Sequence, residues 1–115
     1  MATYTEKILN FLGERNPVES LRQTTTRIQE VAAKLGPAGL ARPYGPGKWT
    51  GAQVLAHLAD AEMVIGYRLR QALTVDNHVI QPFDQELWAK KYEGVDGALA
   101  LATFSAVRQW NLALI

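Results

Sequence analysis

The chain of 115 residues contains no cysteine. This absence excludes disulfide bonds, thiolate metal sites and a cysteine nucleophile within the chain, and it suits a reducing compartment. An excess of charge of one sign is also lacking, since 12 Lys and Arg residues accompany 11 Asp and Glu residues and the formal net charge is +1. A nearly neutral chain gives no electrostatic indication of binding to nucleic acid or to an acidic membrane surface.

Long apolar runs and targeting signals are missing as well. No apolar stretch approaches the roughly 20 residues that a membrane-spanning helix needs, and the polar residues 1–6 lack the pattern of a secretory signal. We therefore expect a cytoplasmic protein that contacts neither membranes nor nucleic acid. Because 48% of the residues are hydrophobic and 20% are charged, the composition is typical of a single soluble globular domain covering residues 1–115.

Apolar residues recur at intervals of three and four, which predicts an all-α fold with three principal and two short helices. The predicted helices cover residues 5–12, 17–35, 50–73, 84–92 and 97–115. Asn16 with Glu19, and Thr50 with Gln53, have the spacing of capping boxes at the starts of the two longest helices. Glycine and proline are concentrated in residues 36–48, which therefore form a predicted connector.

Each principal helix has a stripe that is expected to face the core. These stripes are Leu21, Thr25, Ile28, Val31, Ala32 and Leu35; Val54, Leu55, Leu58, Ile65, Leu69 and Ala72; and Leu99, Phe104, Val107, Trp110 and Leu114. Gly66 weakens the third helix by about 1 kcal/mol relative to alanine but could permit close approach of another helix. The last helix is still apolar at Ile115, so we expect a fourth helix from a partner chain or from a longer protein.

His57, in the middle of the third helix, is the residue best suited to chemistry. Its imidazole could bind a divalent metal in the core of a bundle, or it could be a half-buried side chain bonded to Asp60 or to a carbonyl. A single histidine does not make a zinc site, which needs three or four protein ligands, and nothing places His78 near His57. The spacing of residues leaves both interpretations open.

Other polar and aromatic residues of this region have simpler interpretations. Asp60 and Glu62 point to different sides of the helix, so their spacing does not make them an acid–base pair. We interpret both, together with Arg68 and Arg70, as parts of a solvated face. Large aromatic side chains at helical spacing could line a pocket but are more typical of a core. This applies to Trp49, Trp88 and Trp110.

Several segments, taken in order, resemble the DinB-like superfamily of bacterial proteins. Its signature is a Gly-Lys-Trp-Ser/Thr helix start followed by a helix that bears His-Leu-x-Asp-x-Glu. The matching segments are Pro46-Gly47-Lys48-Trp49-Thr50, the run from Val54 through His57, Asp60 and Glu62, Tyr67-Arg68, Pro82-Phe83-Asp84 with Trp88, and Arg108. The similarity extends from about residue 17 to the end of the chain.

The resemblance implies a four-helix bundle in which three histidines hold a divalent metal, often zinc or nickel. His57 matches the ligand of the second bundle helix, whereas the His-x-x-x-His pair of the fourth helix has no counterpart in this chain. A lone imidazole would bind metal weakly. Asp60 is a weaker candidate for a residue that supports the ligand.

The resemblance also implies an enzyme and an assembly. It indicates a homodimer and a metal-dependent transferase that uses a thiol, or a hydrolase, acting on an unknown small-molecule substrate. The metal of such an enzyme acts as a Lewis acid or lowers the pKa of a bound water or thiol. The alternative is a non-catalytic helical module that works by self-association or partner binding, which suits a chain with a single candidate ligand.

Overall fold

The computed structural model describes residues 2–115, and this part of the chain is helical. The helices are α1 (Tyr4–Leu12), α2 (Pro17–Leu40), α3 (Gly51–Thr74), α4 (Gln85–Ala89) and α5 (Gly97–Leu112). No strand occurs in the described residues, although a single β-bridge joins Pro43 to Thr50. The predicted all-α class is confirmed. None of the helices in residues 2–115 is both long and apolar enough to cross a membrane.

Side-chain caps begin the helices where the sequence predicts them. Thr50 Oγ1 accepts a hydrogen bond from the Gln53 amide at 3.1 Å, and Gln53 Oε1 accepts one from the Thr50 amide at 2.9 Å. Asn16 Oδ1 accepts from the Glu19 amide at 3.0 Å. These bonds satisfy backbone donors that have no partner within the helix. Local sequence alone therefore determines where α2 and α3 begin.

Helix α2 is interrupted at Gly36 instead of ending there. Gly36 has φ 65° and ψ 177°, a conformation that glycine adopts without the penalty that a side chain would bring. Pro37 then begins one further helical turn that ends at Leu40. The backbone does leave the helical conformation where the predicted helix ends, but a further turn follows, so the prediction that the connector to α3 begins at residue 36 is wrong and it begins after Leu40.

The core lies where α5 packs against both α2 and α3, with its largest contact to α3. Phe104 of α5 is almost completely buried, among a core that includes Ala32 of α2 and Leu55 of α3. Gly66 is also buried, and a Cβ atom built on it would lie 2.6 Å from Asn111 Oδ1 of α5. The sequence-based prediction that Gly66 permits close helix approach is therefore confirmed.

Several residues that were expected in the core lie at the surface. They are Val31, Leu35, Ile65, Ala72, Leu99, Trp110 and Leu114. The prediction is wrong for them because periodicity reveals an apolar stripe but not how much of its width a neighbouring helix covers. Trp110 is 66% exposed and Trp88 is 38% exposed, so the interpretation of the tryptophans as core residues is wrong at both positions.

Candidate functional site

The connector before α3 places Trp49 next to His57. The Tyr44 amide donates to the Trp49 carbonyl at 3.2 Å, which ties the connector to the start of α3. The Trp49 and His57 ring centroids are 5.6 Å apart with an interplanar angle of 61°. Trp49 also meets the Tyr92 ring edge-on, at 6.1 Å and 84°. The indole therefore packs against His57 and Tyr92 together, in an arrangement that aromatic pairs prefer.

Tyr92, which follows α4, is bonded to the carboxylate of Asp60. Its hydroxyl donates to Asp60 Oδ2 at 2.6 Å. Burial raises the pKa of Tyr92, and the hydrogen bond to Asp60 and its negative charge raise it further. The hydroxyl therefore remains protonated and available as a donor at neutral pH. Asp60 lies one helical turn after His57, so this bond anchors the chain after α4 beside His57.

His57 itself is held by packing. Its Nδ1 atom is buried and has no hydrogen-bond partner among the described residues. The sequence-based alternative was a half-buried histidine bonded to Asp60 or to a carbonyl. In residues 2–115 His57 is half-buried, but its Nδ1 atom makes no such bond. Buried polar atoms without a partner are uncommon in folded proteins and need an explanation. A neutral imidazole has one N–H group and one lone pair, so His57 retains bonding capacity at Nδ1.

A complete metal centre does not form from this part of the chain. Residues 2–115 contain no group of three or more His, Asp or Glu side chains that could hold a metal ion together. His78 packs instead against the ring of Tyr67, with centroids 6.4 Å apart. Zinc sites need three or four protein ligands. The His, Asp and Glu side chains of residues 2–115 therefore cannot form a complete metal site by themselves. They offer His57 as one candidate ligand.

A buried ion pair joins α3 to α5, and the sequence-based interpretation missed it. Arg108 Nε lies 2.8 Å from Glu62 Oε1, and a second guanidinium nitrogen donates to Oε2 at 2.9 Å. Glu62 is 3% exposed, so its assignment to a solvated face is wrong. Its partner lies 46 residues away, beyond the reach of local spacing. The available signal was that both residues belong to the segments that resemble the family.

The same network includes further polar side chains and reaches α2. Arg108 also donates to the Leu21 carbonyl at 3.0 Å. Asn111 Nδ2 donates to the backbone carbonyl and to Oε1 of Glu62, both at 3.1 Å, and Asn111 Oδ1 accepts from Arg70 at 2.9 Å. Arg68 donates to the Gln81 carbonyl at 2.7 Å. Both arginines are half-buried and hydrogen-bonded, so the prediction that they belong to a solvated face is wrong. The bonds among Glu62, Arg108, Asn111 and the Leu21 carbonyl connect three helices.

A cavity of about 660 Å³ opens between the end of α2, the start of α3 and the start of α5. Its wall is largely apolar, with Ala33, Leu40 and Leu101 among the lining residues, and Gln53 and Tyr92 add polar groups. This volume lies within the range of pockets that bind small molecules. Tyr92 lines the cavity and also bonds Asp60, so the cavity adjoins the cluster around His57.

Comparison with known proteins finds relatives that are named as metal-dependent hydrolases. A protein of Geobacillus thermodenitrificans named "Putative metal-dependent hydrolase" is 38% identical over 73 residues, which are 64% of this chain and 41% of the relative. "Putative metal-dependent hydrolase YfiT" of Bacillus subtilis is 34% identical over 106 residues, covering 78% of this chain and 60% of the relative. The chain thus spans about two fifths to three fifths of these relatives.

A solved structure shares the fold. It is described as "YfiT from Bacillus subtilis is a probable metal-dependent hydrolase with an unusual four-helix bundle topology". The TM-score is 0.75 at 24% identity, and the match covers 99% of this chain and 62% of the other. The sequence model of the DinB superfamily matches residues 20–115, which is most of the chain. The chain belongs to the DinB superfamily.

Proposed function

We propose that this chain is a domain of a metal-dependent enzyme of hydrolase or transferase type, and that His57 is one ligand of its divalent metal, zinc or nickel. The observation that carries the proposal is the buried Nδ1 atom of His57, which has no hydrogen-bond partner among the described residues. The names of the relatives support metal dependence. The other ligands would come from outside residues 2–115 of one chain, because no cluster of three candidate ligands exists there.

The surrounding residues have supporting roles in this proposal. Trp49 packs against the imidazole and limits its rotation, which keeps a ligand in a constant orientation. Asp60 is committed to Tyr92, so we assign it to positioning the chain beside His57 and not to direct support of the imidazole. The neighbouring cavity, with its largely apolar wall, would receive the apolar part of a small-molecule substrate.

A titration with divalent metal tests the role of His57, since the chain has only two histidines. Imidazole NMR signals would be recorded for the wild type, His57→Ala and His78→Ala while zinc or nickel is added. We expect the His57 signals to change first, and the His78→Ala variant to keep this response. His57→Ala should lose it while retaining the helical circular dichroism of the wild type. The proposal would be contradicted by a folded wild type that carries no metal and whose His57 NMR signals do not change when zinc or nickel is added.

A non-catalytic helical module is the second candidate function. The observation that favours it is the lack of a three-ligand cluster in the described part of the chain. Hydrolase and thiol-transfer assays with added zinc or nickel distinguish the two candidates. Metal-dependent turnover that His57→Ala abolishes and His78→Ala preserves supports the enzyme. A folded chain that is inactive with either metal and binds neither of them supports the module.

A further inference from the structure

Arg68 is a half-buried cation that uses little of its hydrogen-bonding capacity. A guanidinium group has several N–H donors, but within residues 2–115 Arg68 donates only to the Gln81 carbonyl, at 2.7 Å. Its Nε atom is buried and has no partner in the same part of the chain. One face of the group lies over the Phe83 ring, with Cζ 5.8 Å from the ring centroid. Buried polar groups without partners are uncommon and need an explanation.

Arg68 also has no carboxylate partner within residues 2–115, since neither ion pair found there includes it. The neighbouring arginines are better satisfied. Arg108 bonds the Glu62 carboxylate at 2.8 Å, and Arg70 bonds Asn111 Oδ1 at 2.9 Å. The oxygens of a carboxylate or phosphate match the N–H groups of a guanidinium in charge and geometry. Arg68 therefore has the charge and the donors to bind an anionic group.

Arg68 lies on the same side of α3 as His57. Intervals of four, three and four residues lead from His57 through Ala61 and Val64 to Arg68, so these positions follow one line along the helix. The distance along the helix axis is about 16 Å. Ala61 and Val64 are half-buried and uncharged. The surface between the histidine and the arginine is therefore apolar along this line.

The segment 81–92 accompanies α3 from Arg68 back toward His57. Its first residue accepts the hydrogen bond of Arg68, and its last residue, Tyr92, donates to Asp60, which lies one turn after His57. Between these two bonds, α4 contacts α3. The segment thus forms a second wall beside the stretch of α3 that separates Arg68 from His57.

We propose that Arg68 binds the carboxylate or phosphate group of a small molecule that extends along α3 toward His57. The free N–H groups on the terminal nitrogens of the guanidinium donate to the anionic oxygens, and partial burial strengthens the attraction between the charges. The uncharged part of the molecule lies against Ala61 and Val64. As a statement about the substrate this inference rests on the proposed function, and it assigns the substrate to the organic anions.

NMR of the arginine side chains tests the anion site on the metal-free 115-residue chain. Acetate or inorganic phosphate would be added at constant ionic strength, with chloride as the compensating anion. We expect the Arg68 Nε–H signal and the Phe83 amide signal to shift and saturate with at least one of them, and the tighter of the two identifies the anionic group. Arg68→Gln should raise the dissociation constant, read from the Phe83 amide, at least about 10-fold because charge-assisted hydrogen bonds are lost.

Arg27→Gln is the matched control, since Arg27 is an exposed arginine of α2 that forms no ion pair within residues 2–115. It should bind both anions as the wild type does. The proposal is overturned if the Arg68 signal responds to neither anion, if all arginine signals shift alike without saturation, or if folded Arg68→Gln binds as tightly as the wild type. Should Arg68→Gln unfold, Arg68→Lys replaces it. That variant keeps the charge without the planar group and should also bind more weakly.

A longer anion tests the direction toward His57. Octanoate, or octyl phosphate if phosphate binds more tightly than acetate, adds an apolar chain to the same anionic group. It should bind at least about 10-fold more tightly than the short anion because the chain is removed from water, and it should shift the imidazole signals of His57. Binding that leaves these signals unchanged would overturn the placement along α3. Because no metal is present, these results do not depend on whether His57 binds zinc or nickel, and the failure of either proposal can be recognised separately.

Discussion

Replacing Arg108 by methionine is expected to cost about 3–5 kcal/mol of the free energy of unfolding, although the new side chain is apolar and of similar length. The side chains of Arg108 and Glu62 are 11% and 4% exposed. Without the guanidinium, the Glu62 carboxylate remains buried and keeps only its bond from Asn111. The Leu21 carbonyl also loses the hydrogen bond that Arg108 donates. The cost arises from a charge that is removed from water and left without its partner.

Urea unfolding followed by circular dichroism measures this cost. For small proteins the free energy of unfolding falls by about 1–3 kcal/mol per molar urea, so the midpoint should fall by about 2 M. Arg22→Met is the matched control, because Arg22 pairs with Glu19 at 3.5 Å while the side chains are 58% and 54% exposed. Such an exposed pair contributes below about 1 kcal/mol. All variants are compared at one protein concentration, since association would shift the midpoint.

A double replacement distinguishes two causes of the lost stability in Arg108→Met, which are the unpaired charge of Glu62 and the altered packing. In Glu62→Leu/Arg108→Met no buried charge remains, so most of the stability lost in the single variant should return. Asn111 Nδ2 can still donate to the backbone carbonyl of residue 62. The reasoning is refuted if Arg108→Met costs no more than Arg22→Met. A double variant that is less stable than Arg108→Met would show that shape, and not charge, governs this contact.

Two further replacements test the cluster around Asp60 and the close contact of α3 with α5. Tyr92→Phe removes the hydroxyl that donates to Asp60 and should cost about 1–3 kcal/mol at neutral pH. Because burial and Asp60 raise the pKa of Tyr92, the stability from its protonated hydroxyl is complete below about pH 10 and falls as the pH rises further. Between about pH 7 and pH 11 the urea midpoint of Tyr92→Phe should therefore fall less than that of the wild type. If the two midpoints fall equally, the loss of stability at high pH does not come from the Tyr92 hydroxyl. Gly66→Ala should lower the midpoint by the equivalent of about 1–3 kcal/mol, since its Cβ would lie 2.6 Å from Asn111 Oδ1, and a more stable variant would contradict the packing described above.

Much of the fold could be predicted because its signals are local. A capping residue satisfies amide groups two or three positions away, so Thr50 and Asn16 mark helix starts without any tertiary contact. Gly36 and Pro37 interrupt α2 through their own backbone chemistry. His57 could be selected as a candidate metal ligand because the motif that carries the family resemblance is a short run of neighbouring residues on one helix. The prediction that it contributes to a metal centre remains to be tested by the titration.

The remaining features depend on residues that are distant in sequence. Spacing along α3 could not distinguish Glu62 from a solvated carboxylate, because its burial depends on Arg108, which another helix supplies. The exposure of Ile65 and Trp110 likewise depends on which sides of α3 and α5 receive a neighbour. Tyr92 became part of the candidate site because the chain after α4 brings its hydroxyl to Asp60. The sequence by itself determined the helices, their starts and the family, since these depend on backbone chemistry and short-range order. Only the tertiary structure decided which polar groups are buried, because burial and pairing are properties of helices in contact.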